Sequence, residues 1–600
     1  MNSPRVLRTG VLLAGLSFSA FAASPRVYTL DADFDEGVLF NVNHDAPNND
    51  QLQLNTAGDI QTLPVLYVAN AAEDTISKID TDSNSEVGRY RSWFGPVGQV
   101  GFVNHPNGYL TGPAPSRSAV DADGNCFVAN RGFTRPPQLM KILNDTFIDR
   151  NGNGVVDTST DINGNNVIDP GEIMPLGDTN GNGRVDQSEI MDERVAWIEP
   201  LDVLGISLCR SVSIAPNGNI WVGGFNSRNY AELSPVDASL ISGPFPAHTC
   251  YGSLVDASNI LWSASLSTNL GRLDTTTGAF TTFSHSSSGS NYGIGIGSDP
   301  TNSNNPMVIL GANGGSSFKK FDIPTSGFSY PAPSVTPLGV SVDANNDVIC
   351  SDAVGGTSFL GCSKFRADGT LIWSSGPQPG ATSASQRGAI VDANGDVWTI
   401  HPDNDIISKF DGGTGAPLGT FPVGDGPYTY SDASGSSFIQ TNPTGTWAVV
   451  LDAGERGAEN CVISWNGSTD NGSSFEVIAD ASDTASSVGD FNPASATPAL
   501  NGVEVPGIAG RYVYVRVRFI SANQTSPILE DLTIACCPQY GDVNDDCCVD
   551  RTDLNLVLAE VRAGGNDPTY DVNGDGEVDI VDARRVAVLF CTPRTGDPCL

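Results

Sequence analysis

Five stretches of this 600-residue chain place oxygen-bearing side chains at positions 1, 3, 5, 9 and 12 of a twelve-residue loop. The first carries Asp149, Asn151, Asn153 and Asp157, with Thr160 at the closing position. The second carries Asp161, Asn163, Asn165, Asp169 and Glu172, and the third Asp178, Asn180, Asn182, Asp186 and Glu189. The fourth carries Asp542, Asn544, Asp546, Asp550 and Asp553, and the fifth Asp571, Asn573, Asp575, Asp579 and Asp582. Calcium is a hard cation that gathers about six to eight oxygens, and alternate residues of a tight loop turn theirs inward. Position 7 offers its backbone carbonyl. Position 8 is apolar in every copy (Val156, Ile168, Val185, Val549, Val578), which would pin each loop to a core. One such stretch would read as an ordinary Asp/Asn/Gly turn. Five with the same apolar anchor point to Ca²⁺ as the bound ion. The first loop is the weakest, because Thr160 cannot supply a bidentate carboxylate, and the fourth has Cys547 where the turn glycine belongs.

Catalytic chemistry is thin by comparison. Asp352 and His401 occupy equivalent places in neighbouring repeats and are the weak candidates for an acid–base pair. The plainer reading, an unrelated carboxylate and histidine, is preferred. There is no glycine-rich phosphate loop, nucleophile elbow or His-Glu-x-x-His motif. Trp221, Trp262 and Trp398 share one repeat position and read as packing residues. With 31 basic against 68 acidic residues the net charge is −37, which repels phosphates and argues against a nucleic-acid partner.

Residues 1–22 read as a secretory signal peptide: Arg5 and Arg8, a short apolar run over 11–18, then Ala20-Phe21-Ala22. That run is too short for a membrane span and no later segment is longer, so a secreted, extracellular protein is expected. Twelve cysteines suit an oxidising compartment. Six lie between Cys536 and Cys599 and read as staples of a small module. Cys209 with Cys250, and Cys350 with Cys362, are further candidate pairs.

The elements that must position these groups are mostly strands. A unit of alternating apolar residues, an Asp-Ala-Asn/Asp-Gly turn and a second apolar run recurs near residues 119, 212, 254, 294, 340 and 389. Four-stranded units at this spacing predict a seven-bladed β-propeller over 64–435. Its first blade lacks an inner strand, which residues 428–435 would supply. Residues 144–195 form an insertion holding the first three calcium loops. Residues 436–535 predict a β-sandwich, with strands from 23–63 packed on it. The segment 536–600 predicts a small helical module. There Leu554, Val557, Leu558 and Val561 share one helix face, followed by Gly564-Gly565, and Val586, Leu589 and Phe590 another. The fold class is therefore mainly β, with a small α-helical calcium-binding module at the C-terminus.

Residues 541–590 resemble a dockerin domain, a duplicated calcium loop and helix, most strongly over Asp571-Val572-Asn573-Gly574-Asp575-Gly576-Glu577-Val578-Asp579. The resemblance implies a cohesin-type protein partner and an association with extracellular polysaccharide-degrading enzymes. Family contacts would fall on Arg551-Thr552 and Ile580-Val581, where the two copies differ. The inserted loops resemble the calcium strings of thrombospondin type 3 repeats. The repeats resemble the NHL and streptogramin (virginiamycin B) lyase group, through units such as Asn219-Ile220-Trp221-Val222-Gly223-Gly224 and Asn269-Leu270-Gly271-Arg272-Leu273-Asp274. The lyases use histidines and a glutamate with a divalent metal, and no such set maps onto His44, His105, His248, His285 and His401. The expectation is a calcium-binding propeller protein that acts through binding or assembly, with a carbohydrate or small-molecule ligand at the propeller as a further partner. The alternative is an extracellular enzyme, lyase-like or polysaccharide-active, with its site at the propeller mouth.

Overall fold

Four of the repeats fold around an aspartate, Asp121, Asp256, Asp343 or Asp392. Asp121 Oδ1 accepts the N–H groups of Asp123 and Asn125, and Asp392 Oδ1 those of Asn394 and Asp396. This Asx turn closes the hairpin between the first two strands of a sheet. The following turn residue is left-handed: Gly124 and Gly395 at φ 79°, Asn259 and Asn346 at 60° and 62° where glycine is missing. Asparagine is the residue that best tolerates that region after glycine, which explains the drift of the motif. The second oxygen of the aspartate also works. Asp256 and Asp392 accept the indole N–H of the buried Trp262 and Trp398, at 2.8 Å each.

The structure is a computed structural model. It describes residues 25–590 except 46, 56–61, 94–110, 134, 166, 175–178, 182–186, 288, 316, 332–334, 353–360, 377, 382–385, 442, 455–456, 492, 494, 522–524, 539 and 545–548. The signal-peptide segment 1–22 lies outside the described residues, as do Cys547, Cys548, Cys591 and Cys599.

The chain is mainly β. Among the described residues, six antiparallel four-stranded sheets follow a three-stranded sheet formed by Val65–Asn70, Thr75–Asp80 and Ser85–Arg91. Every four-stranded sheet runs in simple order, such as Cys209–Ile214, Ile220–Gly224, Asn229–Leu233 and Leu240–Pro246. An apolar layer separates each sheet from the next. The last four-stranded sheet packs Ile390, Trp398 and Ile400 against Leu66, Val68 and Ile79 of the three-stranded one, so the array returns on itself. Residues 427–433 lie at that junction. Tyr428 N–H donates to Ala69 O, Tyr67 N–H to Ala433 O, and Gly388 N–H to Thr429 O. These bonds satisfy backbone groups that would otherwise form a bare sheet edge.

Two further sheets form a sandwich. One joins Val38–Phe40 to Thr444–Asp452, Tyr512–Ile520 and Ser474–Ser482. The other pairs Arg26–Tyr28 and Leu52–Leu54 with Ile528–Cys537, which also pairs Ala458–Ser468. The sandwich is thus built from residues on both sides of the repeat array, around Trp447, whose indole donates to Phe34 O. Cys461 and Cys536 form a disulfide inside it. This corrects the expectation that Cys536 staples the C-terminal module. Cys537 is disulfide-bonded as well. Cys209, Cys250, Cys350 and Cys362 are free and buried, so neither suggested pair forms.

Past the sandwich, helices Arg551–Ala563 and Ile580–Val588 pack on each other through Val557, Ala583 and Val586. Gly564 ends the first in the left-handed conformation at φ 65°. Among the described residues no helix is long and apolar enough to cross a membrane.

Candidate functional site

The inserted segment leaves the strand Gln138–Ile142 and returns at Val195–Pro200, the third and fourth strands of one sheet. Its loops close by a common device. In the second, Glu172 Oε1 accepts the N–H groups of Ile162 and Asn163 while Oε2 accepts that of Asp169, at 2.9–3.0 Å. Asp553 does the same in the fourth loop, bridging Val543 and Asp550 N–H at 2.9 and 2.8 Å. Asp582 bridges Asn573 and Asp579 N–H in the fifth, at 3.1 and 2.8 Å. In these three loops the closing carboxylate therefore ties the loop start to position 9. In the third loop Glu189 Oε1 accepts Thr179 and Asn180 N–H, while Asp178, Asn182 and Asp186 lie outside the described residues, as does Asp546 of the fourth.

The first loop closes through a residue outside its twelve positions. Among the described residues Thr160 makes no side-chain hydrogen bond. Glu193, 1% exposed, takes the closing role: Oε1 accepts Arg150 N–H at 2.8 Å and Oε2 accepts Asp157 N–H at 2.9 Å. These are the position 2 and position 9 amides, the pair that Glu172 bridges next door. Asp192 holds the return strand in place by accepting from Thr158 Oγ1 and from Ser159 N–H and Oγ. Sequence windows of twelve residues miss Glu193 because it arrives from the far end of the insertion.

Within the loops the remaining polar groups converge. Asp149 accepts Gly152 and Gly154 N–H, and these backbone bonds, Gly154 foremost, hold its carboxyl below the usual carboxylate range. Asn151 and Asn153 both reach Asp157 Oδ2, at 2.6 and 3.0 Å, and Asn163 and Asn165 both reach Asp169 Oδ2, at 3.1 and 3.2 Å. The donor set is carboxylate and amide oxygen, without thiolate or imidazole, and fits a hard cation. Among the described residues no three His, Cys, Asp or Glu side chains alone form a metal cluster, so such a site depends on its asparagines and carbonyls. Of the position 8 anchors, Ile168 and Val549 are fully buried and Val156 and Val578 half-buried; Val185 lies outside the described residues. In the C-terminal module positions 9 and 12 have a second use. Asp550 and Asp579 are helix N-caps, and Asp553 and Asp582 complete the capping boxes.

Asp352 and His401 are not brought together. Both are buried, 6% and 2% exposed. Asp352 accepts Thr336 N–H at 2.8 Å. His401 Nε2 meets Ser408 Oγ at 2.9 Å and Thr399 Oγ1 at 3.1 Å, and burial pulls its pKa down to about 4. No hydrogen bond or ion pair joins the two.

What does converge, where the first strands of successive sheets meet, is a set of arginines and tyrosines. Arg117 and Arg210 come from the first strands of adjacent sheets, Tyr292 from another, and Tyr251 and Arg387 from just before two more. Tyr428 and Tyr430 come from the closing segment, and Arg131 follows a second strand. Tyr251, Tyr292, Tyr428 and Tyr430 share one buried apolar cluster, and Tyr292 and Tyr428 hydroxyls meet at 2.6 Å. Arg117 lies 3.2 Å from the Tyr430 ring centroid, Arg131 4.6 Å from that of Tyr428, and Arg210 5.0 Å from that of Tyr251. A sequence signal existed. In most copies a Tyr or Arg stands four or five residues before the repeat aspartate or its equivalent.

No protein-family model matches the chain, and no curated protein matches it. Solved structures similar to it include virginiamycin B lyase from Staphylococcus aureus, at 11% identity over 52% of this chain and 84% of that one, with a TM-score of 0.36. A catalytically inactive variant of that lyase with quinupristin is 12% identical, covering 64% of this chain and 99% of that one, with a TM-score of 0.35. A functionally unknown protein from Desulfotomaculum acetoxidans is 12% identical over 61% of this chain and 99% of that one, with a TM-score of 0.38.

Proposed function

We propose that the chain is a secreted calcium-binding protein. In this reading a seven-bladed β-propeller, closed by residues 427–433, carries a calcium-binding insertion and is joined to a β-sandwich and a dockerin-like module. The module docks on a cohesin-type partner outside the cell, in the setting of polysaccharide breakdown. The observation that carries the reading is the shared closure of the loops, in which one carboxylate spans the loop start and position 9 in the first, second, fourth and fifth copies. A bound Ca²⁺ would supply cross-linking charge at the centre of each loop. The chain's own residues hold the loop open for it: Asp149, Asn151, Asn153, Asp157 and Glu193 in the first, and Asp161, Asn163, Asn165, Asp169 and Glu172 in the second. In the module, helix capping and loop closure share the same aspartates, so ion binding and helix order are coupled.

Docking is supported by the surface at loop positions 10 and 11. Ile580 and Val581 are 47% and 45% exposed at the start of the second helix, and Arg551 and Thr552 are exposed at the start of the first. Exposed aliphatic residues, and arginine, are residue types that protein interfaces use.

Calorimetric titration of the chelator-stripped chain tests the calcium reading. Saturable binding with a rise in melting temperature, reversed by chelator, is expected. Absence of binding together with an unchanged melting profile refutes it. Docking is tested separately, by binding of the chain to immobilised cohesin modules with and without calcium.

A further inference from the structure

The arginine–tyrosine cluster poses a charge problem independent of calcium. Arg210 is 8% exposed, and among the described residues its guanidinium makes no ion pair and no hydrogen bond. It lies against the rings of Phe133, Phe225 and Tyr251, at 5.0–5.5 Å. Arg117 is fully buried; its guanidinium contacts the carbonyls of Tyr251 and Ser116 and two tyrosine rings, and no carboxylate. Nearby Tyr430 Oη is buried and has no hydrogen-bond partner among the described residues. Removing a cation from water costs several kcal/mol even after relaxation. A desolvated cation–π contact returns about 2 kcal/mol. Ring contacts alone therefore leave these cations short of compensation.

Several of the longer stretches outside the described residues carry no acidic residue. Segments 94–110, 353–360 and 382–385 contain no Asp or Glu. Titration behaviour agrees. Burial, with Arg210 and Arg117 adding to it, draws Arg131 down to about 10. Against the upward push of burial, Arg131 and Arg387 draw the Tyr428 phenol well below its ordinary range.

We propose that this cluster is a binding site for an oxyanionic ligand, a carboxylate or phosphate borne on a ring-shaped body. Arg210 and Arg117 would take the oxyanion, because a guanidinium fork matches two oxygens at once. Tyr430 Oη would donate the hydrogen bond it lacks in the protein. The rings of Tyr251, Phe133 and Phe225 would cover the apolar face of the body. In a chain of net charge −37 this is a buried cationic cluster of opposite sign.

The test uses the full chain at constant ionic strength, with benzoate, galacturonate, phenyl phosphate, inorganic phosphate and chloride as probes. Melting temperature and titration calorimetry are the readouts. At least one ring-borne oxyanion should bind saturably, one per chain, and raise the melting temperature. Arg210→Gln should abolish that binding while leaving the ligand-free chain at least as stable as wild type, since it removes an unpaired charge. Tyr430→Phe deletes a hydroxyl with no partner in the fold; it should keep stability and weaken binding about tenfold, or ~1.4 kcal/mol. No saturable binding by any ring-borne probe, or binding that survives Arg210→Gln, overturns the proposal. Binding of inorganic phosphate or chloride as tight as that of the ring-borne probes overturns the ring-shaped body.

Discussion

Replacing Glu193 by Gln is the sharpest test of how the first loop closes. Glu193 is 1% exposed and holds Arg150 and Asp157 N–H at 2.8 and 2.9 Å. Glutamine keeps the volume and one acceptor, but its amide turns a donor toward the second N–H. One partly buried N–H then loses its partner, at about 1–3 kcal/mol, with or without calcium. If the loop takes the proposed Ca²⁺, a second effect is added. With Glu193 the first loop offers three carboxylates, as the second does; with Gln it offers two. If affinity falls tenfold, a site held at 100 times its Kd contributes about 1.4 kcal/mol instead of about 2.7, a further loss of roughly 1.3 kcal/mol. Thr160→Ala is the control and should stay within about 0.5 kcal/mol of wild type. Chemical denaturation in chelator and in calcium, followed by hydrogen exchange at residues 149–160, separates the two terms. Calorimetry should show one site weakened in Glu193→Gln and none in Thr160→Ala. Loss of the site in Thr160→Ala, or an unchanged titration in Glu193→Gln, would refute the assignment of the closing residue.

Other outcomes follow from the same structure. The Cys461–Cys536 disulfide spans 75 residues, so its removal as Cys461→Ala with Cys536→Ala should cost the sandwich up to about 4.5 kcal/mol by chain entropy. Non-reducing denaturation that leaves the sandwich midpoint unmoved would contradict this. Cys126, Cys209, Cys250, Cys350 and Cys362 should resist thiol reagents in the native chain and react only on unfolding; a Cys209–Cys250 cross-linked peptide would disprove their free state. Burial lowers His248 and His401 from near 6.5 to about 4, so their neutral forms are favoured in the fold. That contribution is fully present above about pH 6.5 and is lost as pH falls toward 4, at about 3 kcal/mol per histidine. His401→Asn should therefore flatten the stability loss between those values, and an unaltered slope would count against it.

The repeat was legible because one aspartate does three local jobs within six residues: it closes the turn, sets the hairpin and, in two copies, holds a tryptophan. The loops were legible for the same reason, since positions 1 to 9 contact one another. Glu193 was not, because the hydrogen bonds that recruit it cross 36 and 43 residues. The arginine–tyrosine cluster was harder still. Each member looks unremarkable beside its sequence neighbours, and only the return of the last sheet to the first brings Arg117, Arg210 and Tyr430 together. Asp352 and His401, for which the unrelated reading is preferred, stand at equivalent repeat positions, yet each has its own partners: Thr336 for Asp352, Ser408 and Thr399 for His401.

The sandwich bears on how the molecule carries load. Arg26 stands opposite Ile534 and Tyr28 opposite Leu532, antiparallel, so the chain leading into the first strand and the chain leaving the last emerge at one end of the pair. Tension between those two points peels the sandwich open one hydrogen-bonded rung at a time. Everything from Val65 to Ala433 sits behind that clasp and feels no pull until it gives way. The Cys461–Cys536 bridge ties Ile528–Cys537 to Ala458–Ser468, so that pair stays joined after the first strand has peeled away. If the C-terminal module is tethered to a partner while the N-terminal side is held, the sandwich lies in the load path ahead of the repeat array.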